Sequence, residues 1–436
     1  MTLSIPSPET ARYRPYQRGN IESAPFWKGL SEDLQEAIQV VSTVFPFRTN
    51  EYVTGELIDW ATVPNDPMYQ LTFPQRGMLS ERDYAVMEEL VRAGADKATI
   101  EAAADRIRLR LNPHPAGQAT DNVPLLDGEP LQGVQHKYRE TVLFFPAQGQ
   151  TCHAYCSFCF RWPQFVGGRE QRFESREVGE LIRYLRKNPD VTDVLFTGGD
   201  PMIMRTSVLR EYIEPLLRAD LPNLRTVRIG TKALSFWPSR FVHDEDADDL
   251  MALFEEVVES GLHLAIMAHI SHATEMATDI FQEAIRRLRR TGATLFTQSP
   301  LVRHVNDEAG VWAELWTTAV RMGITPYYMF VERNTGASRF FEIPLVDAYE
   351  LYQGDISRVT GLARTVRGPV MSSFLGKVEI LGPVEDERGK AISLQFLQAR
   401  DGERVYRPFK AKYDPKATWF DQLEPHGPED ARFFKA

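Results

Sequence analysis

From about residue 140 onward, short apolar runs alternate with longer helical ones, and this rhythm restricts the fold more than any other feature of the chain. VLFFPA (142–147), DVLFTGG (193–199), TVRIGTKA (226–233), HLAIMAH (263–269), TLFTQSPLV (294–302) and PYYMFV (326–331) read as strands. Between them EVGELIRYLRKN, SVLREYIEPLLRA, DLMALFEEVVESG, FQEAIRRLRRTG and VWAELWTTAVRMG carry helical spacing, and the last two stop at glycine. Six strands interleaved with helices predict an α/β chain with a parallel sheet and right-handed crossovers. Ligands in such folds sit at the strand C-termini, which is where polar residues cluster here.

The flanks have other rhythms. Residues 1–30 are Pro-rich and polar and are expected to form an irregular arm. Helical periodicity runs through 31–115, with Ser31 and Ser80 at helix starts. Residues 113–135 are rich in Pro, Gly and Asp and read as a linker. After about 378, VEILG, AISLQFLQA and ERVYRPFKAKY are β-like, with DERGK and DGE as turns. The expected organisation is a helical N-terminal region and linker (1–135), an α/β core (136–345) and a C-terminal segment with a small β extension (346–436).

A formal net charge of −10 argues against a general nucleic-acid binder or adhesion to anionic membranes. No apolar run approaches the length of a membrane span, and the N-terminus lacks a signal-peptide core. With unpaired, clustered thiols, a reducing cytoplasm is the expected location.

The chain has 3 cysteines, Cys152, Cys156 and Cys159, all within TCHAYCSFCFRW. A disulfide with a spare thiol does not suit a cytoplasmic protein. A zinc site wants a fourth ligand in a second pair, and His153 is badly placed for it. An iron–sulfur cluster is the third reading. A four-iron cluster usually takes four thiolates, so three leave one iron open to a small molecule.

C-x3-C-x2-C is the pattern of the radical S-adenosylmethionine (SAM) superfamily, and the chain resembles its lysine 2,3-aminomutase branch over roughly residues 25–380. The resemblance is carried by PNDPMYQ (64–70), the H-x-Y block at 136–138, the cysteine loop, TGGDP (197–201), RIGTKALSFWPSRF (228–241), HISHATE (269–275), QSPLVRHVND (298–307) and TPYYMF (325–330). It implies a partial (β/α)6 barrel, a [4Fe–4S] cluster on the three cysteines, SAM on the open iron, and pyridoxal 5′-phosphate (PLP) carrying the substrate amino group. The implied reaction moves that group from C2 to C3 of an amino acid by way of a 5′-deoxyadenosyl radical. An external flavodoxin- or ferredoxin-like electron donor and a homo-oligomer are implied as well.

Site residues follow from the same resemblance. Gly198, Gly199 and Asp200 match the motif that meets the SAM amino group. Arg161 matches the arginine that binds the substrate carboxylate, a task suited to its bidentate fork. His272 and Gln298 match residues beside the PLP, and Tyr138 a tyrosine of the H-x-Y block. Lys377, in RGPVMSSFLGKVEIL, stands where the family has its PLP-binding lysine. Two departures matter. The pair of arginines for the PLP phosphate reads Lys137 and Thr141 here, leaving Lys137, or Arg139 as a substitute, to meet the phosphate. The two acids that select a distal ammonium read Arg333 and Val370, so free lysine is not the expected substrate. Two other functions compete: a PLP-independent radical SAM enzyme acting on an amino-acid-like substrate, and a non-catalytic iron–sulfur or zinc protein. Modification of a lysine on translation elongation factor P is a minor option.

Overall fold

The computed structural model describes residues 13–112, 122–166 and 173–435. Residues 1–12 of the expected arm and 113–121 of the expected linker lie outside the described residues. Eleven strands form one sheet. They are β1 (Val134–Tyr138), β2 (Thr141–Phe144), β3 (Asp193–Phe196), β4 (Thr226–Thr231), β5 (His263–His269), β6 (Thr294–Leu301), β7 (Thr325–Val331), β8 (Arg367–Ser372), β9 (Gly376–Asp386), β10 (Gly389–Ala399) and β11 (Pro408–Lys412). Each pairs with its neighbours in sequence. Strands β2 to β8 are parallel, and β1 and β9–β11 flank them as antiparallel strands.

The mixed α/β class follows the alternation seen in the sequence, with one addition. The stretch 367–372, which is not among the six strands read from the sequence, is a seventh parallel strand. The C-terminal β run then continues the same sheet through β9.

Helices α1 (Glu32–Val41), α2 (Glu81–Arg92) and α3 (Lys97–Leu111) lie in the N-terminal layer. Ser31 and Ser80 cap the first two by accepting from Leu34 N (3.4 Å) and Asp83 N (3.1 Å). Elsewhere this layer is less regular than its periodicity implies, with short turns of helix and a ribbon pairing Pro15–Gln17 with Arg48–Asn50. Crossover helices α4 (Val178–Lys187), α5 (Thr206–Arg218), α6 (Ala247–Glu259), α7 (Asp279–Arg290), α8 (Val311–Arg321) and α9 (Leu345–Ile356) follow β2 to β7 in turn.

The strands alternate between buried residues and partly open ones, as period-two side chains must when the two faces differ. Val227, Ile229 and Val194 are fully buried in the core shared with the helices. Asp193, Arg228, Phe296 and Gln298, on the other face, keep part of their surface. That inner face curls. Lys137 Nζ on β1 donates to Ser372 Oγ at the end of β8 (3.4 Å), and Arg400 after β10 donates to the His136 carbonyl (3.2 Å). The two ends of the sheet therefore approach each other around an enclosed space.

Asp355, fully buried near the end of α9, caps α8 by accepting from Gly310 N (2.7 Å) and Trp312 N (3.1 Å). Asp355→Ala would strand both buried donors, so a loss of about 2 kcal/mol is expected. Comparison of urea unfolding midpoints measures it.

Candidate active site

The cysteine loop is clamped from two sides. From the N-terminal layer, Arg48 donates to Thr151 Oγ1 (2.7 Å) and to the Cys152 carbonyl (3.0 Å). Asn50 and Tyr13 both donate to the His153 carbonyl (3.2 and 2.7 Å). Ser157 Oγ donates to the carbonyls of Gln70 and Leu71 (2.6 and 3.1 Å). Those carbonyls end a short helix, Pro67–Thr72, whose first turn is capped by Asp66 (2.7 Å to Tyr69 N). The PNDPMYQ block thus acts on the cysteine loop through backbone geometry.

The second clamp is the turn after β3. The Asp200 N–H is shared between the carbonyls of Gly149 (3.0 Å) and Thr151 (2.8 Å). A Cβ on Gly199 would lie 2.5 Å from backbone atoms of Thr151, so only glycine allows this approach. The Asp200 carboxylate is buried and accepts from Thr231 Oγ1 (2.7 and 2.9 Å), Met202 N (2.9 Å) and Lys232 N (2.8 Å). It ties β3 to β4, and burial raises its pKa to about 6.

The three thiols are free and face one another. Burial raises all three pKa values, that of Cys159 to about 11. Thiols held this way, separated by three and two residues, fit a cluster that takes them as thiolates. Among the described residues no group of three His, Cys, Asp or Glu side chains is arranged to hold a single metal ion. Gly199→Ala is expected to displace the loop and lower the iron bound per chain after anaerobic reconstitution, read by iron and sulfide assay.

Beyond the loop lies the enclosed space. Lys377, on β9, projects its amine 4.3 Å from the centre of the Tyr328 ring and 5.3 Å from that of Tyr138. Its pKa is lowered to about 7, chiefly by burial and then by the nearby Arg228 guanidinium. Gly376 lets β9 approach β10 here, since a Cβ would collide with the Gln398 carbonyl. The Lys137 amine lies 5.4 Å from the centre of the same Tyr138 ring, and burial and the charges of Arg333 and Lys377 hold its pKa well below the usual range. Arg228 hydrogen-bonds Asp193 (2.9 Å) and Thr141 Oγ1 (3.2 Å). Where the family's second phosphate arginine reads Thr141, an arginine from β4, two strands away, reaches the space beside it. Sequence comparison by position misses Arg228 for this role, because pairing across strands is invisible to it.

Arg161 stacks on Phe145 (4.3 Å) and Phe160 (5.1 Å), and burial lowers its pKa to about 10. Arg333, at the end of β7, lies over the rings of Phe160 (4.9 Å) and Trp419 (5.9 Å). The structure thus brings Lys137, Tyr138, Arg161, Arg333 and Lys377 close together beside the cysteine loop. A buried, near-neutral amine with further cations around it fits a phosphate-bearing aldehyde such as PLP.

His272 is engaged elsewhere. Its Nδ1 meets Thr274 Oγ1 (2.9 Å) and caps the turn Ala273–Met276, and the charges facing it are Glu275, Glu314, Asp66 and Glu308. None of these faces Lys377. The histidine on the inner face is His269, paired in register with Gln298 and stacked on Phe158 (6.2 Å). Lys232 also escaped the sequence reading. It is buried against Glu275 (2.7 Å) and Ser271 (3.2 Å).

The chain is 30% identical over 396 residues to a putative L-lysine 2,3-aminomutase of Aquifex aeolicus, spanning 91% of this chain and 92% of that one. The chain belongs to the lysine 2,3-aminomutase family. It is also 29% identical over 243 residues to the L-lysine 2,3-aminomutase of Escherichia coli, 55% of this chain and 67% of that one. No family model matches the chain. A radical SAM methyltransferase from Sphaerobacter thermophilus aligns with a TM-score of 0.37 at 14% identity, over 67% of this chain and 94% of that one, a likeness too weak to carry an argument. No helix among the described residues is long and apolar enough to cross a membrane.

If Lys377 titrates near 7, its labelling by an amine-specific reagent rises as pH passes upward through that value, because only the neutral amine reacts. Exposed lysines respond only near their ordinary, much higher pKa. Peptide mapping of labelled protein across pH 5.5 to about 9 measures this.

Proposed function

We propose that the chain is a radical SAM amino-acid 2,3-aminomutase built on a partial (β/α)6 barrel. In this reading Cys152, Cys156 and Cys159 would hold a [4Fe–4S] cluster. The backbone of Gly198, Gly199 and Asp200 would meet SAM, and Lys377 would hold PLP. When bound, the cluster and SAM supply a hydrogen-abstracting radical and PLP a conjugated ring that stabilises the substrate radical.

The observation that carries the reading is the position of Lys377 in the same enclosed cavity as the arginines flanking the cysteine loop. Arg161 binds the substrate carboxylate through its fork and is held in place by two rings. Lys377, with a pKa lowered to about 7, is about half neutral near pH 7, far more than an exposed lysine, and so is available to hold an aldehyde. Lys137, Tyr138 and Ser372 supply a cation and hydroxyls near it. The N-terminal layer closes the cysteine loop against water. A reduced electron carrier would dock from outside, and a homodimer or tetramer in the cytoplasm completes the reading.

One observation favours the alternative without PLP: Thr141 stands where the family has a phosphate arginine, and Arg228 beside it is already paired with Asp193. Borohydride reduction of PLP-treated protein decides between them. A pyridoxyl adduct on Lys377, absent in Lys377→Ala, supports the aminomutase; labelling elsewhere or none supports the alternative. Cys152→Ala, Cys156→Ala and Cys159→Ala are each expected to abolish cleavage of SAM to 5′-deoxyadenosine, assayed chromatographically. Turnover retained in any of them counts against both readings.

A further inference from the structure

The cations of the cavity are unequally met by the protein. Arg228 is paired with Asp193, and Lys232 with Glu275. Arg161 and Arg333 have no ion pair or side-chain hydrogen bond to a carboxylate among the described residues. Both are half-buried and packed against aromatic faces. Ring faces orient a guanidinium, but they leave its N–H donors unfilled. A half-buried guanidinium with no hydrogen-bonded anion is a ready place for one to bind.

The two arginines also share a ring. Arg161 lies 5.1 Å and Arg333 4.9 Å from the centre of Phe160, so their guanidinium carbons are no more than about 10 Å apart. Lys137, Ser372 and Lys377 meet at the junction of β1, β8 and β9, and Arg333 faces this group as well, since its charge acts on Lys137 and Tyr138. An amino acid held at its carboxylate by Arg161 and at its nitrogen near Lys377 would therefore carry its side chain toward Arg333. Among the described residues the acid that acts on Arg333 is Glu332, which is buried, and burial holds its carboxyl well above the usual range.

The C-terminal extension takes part in this arrangement. Trp419 covers Arg333, the Asn334 amide donates to Asp421 Oδ2 (3.0 Å), and Leu345 N donates to the Ala417 carbonyl (2.8 Å). The segment after β11 is thus a wall of the substrate cavity.

We propose that the substrate is a short dicarboxylic amino acid such as glutamate or aspartate, with Arg161 taking its α-carboxylate and Arg333 its side-chain carboxylate. This rests on the aminomutase reading for the existence of an amino-acid site. The test is calorimetric titration of the cluster-reconstituted protein, treated with PLP, with L-glutamate, L-aspartate, L-norleucine and L-lysine. Bound PLP is followed separately by its visible absorption. The acidic amino acids are expected to bind most tightly. Arg333→Met is expected to weaken them on the order of a hundredfold while leaving norleucine nearly unchanged. Arg333→Lys, which keeps the charge and loses the fork, should fall between. Lysine or norleucine binding as tightly as the acids overturns the proposal. So does an Arg333→Met protein that keeps glutamate affinity, or one that loses PLP absorption instead, since the guanidinium then serves the phosphate. Glutamate bound through Arg333 by protein without PLP absorption upholds the proposal and overturns the PLP reading, so the two fail separately.

Discussion

A parallel sheet whose strands follow one another in sequence order carries its crossover helices on one face, because every crossover has the same hand. The other face has no helices to cover it. Here that face curls until β1 meets the end of β8 and the chain beyond β10. The outer side chains pack as an ordinary apolar core, and the inner ones line an enclosed space. Everything chemical about the protein depends on that division, since it creates a place where charged groups are shielded from water yet not filled by packing.

The shielding decides the electrostatics. Lys137, Arg161, Arg333 and Lys377 are cations brought into one enclosed volume with few protein anions. Desolvation is the largest cause of each downward shift, and repulsion from neighbouring cations adds to it for Lys137, Arg161 and Lys377. The consequence for Lys377 is a usable amine near neutral pH.

The layers outside the sheet serve the loop that enters it. The N-terminal layer and the turn after β3 grip the cysteine loop mostly at backbone carbonyls, which accept from side chains and from N–H groups. This explains why PNDPMYQ and TGGDP belong to the same machinery although neither holds a reactive side chain of its own. The C-terminal extension, through Trp419, closes the far side of the cavity.

Much of this is legible in the chain itself. Period-two and helical apolar patterns set the strands and crossovers, the C-x3-C-x2-C spacing marks the cysteine loop, and GGDP and Gly-Lys lie at strand ends where local geometry is short-range. Other features are not legible, because they depend on residues far apart in sequence meeting across strands. Segment 367–372 becomes a strand only when β7 offers it an edge. Arg228 reaches the space beside Thr141 from another strand, and His272 turns to cap its own helix while His269 takes the inner face. Arg333 signals a change of substrate in the sequence alone. Its partners, Phe160 from the cysteine loop and Trp419 from the C-terminal extension, are decided only by tertiary structure, because aromatic stacking across such separations leaves no local pattern to read.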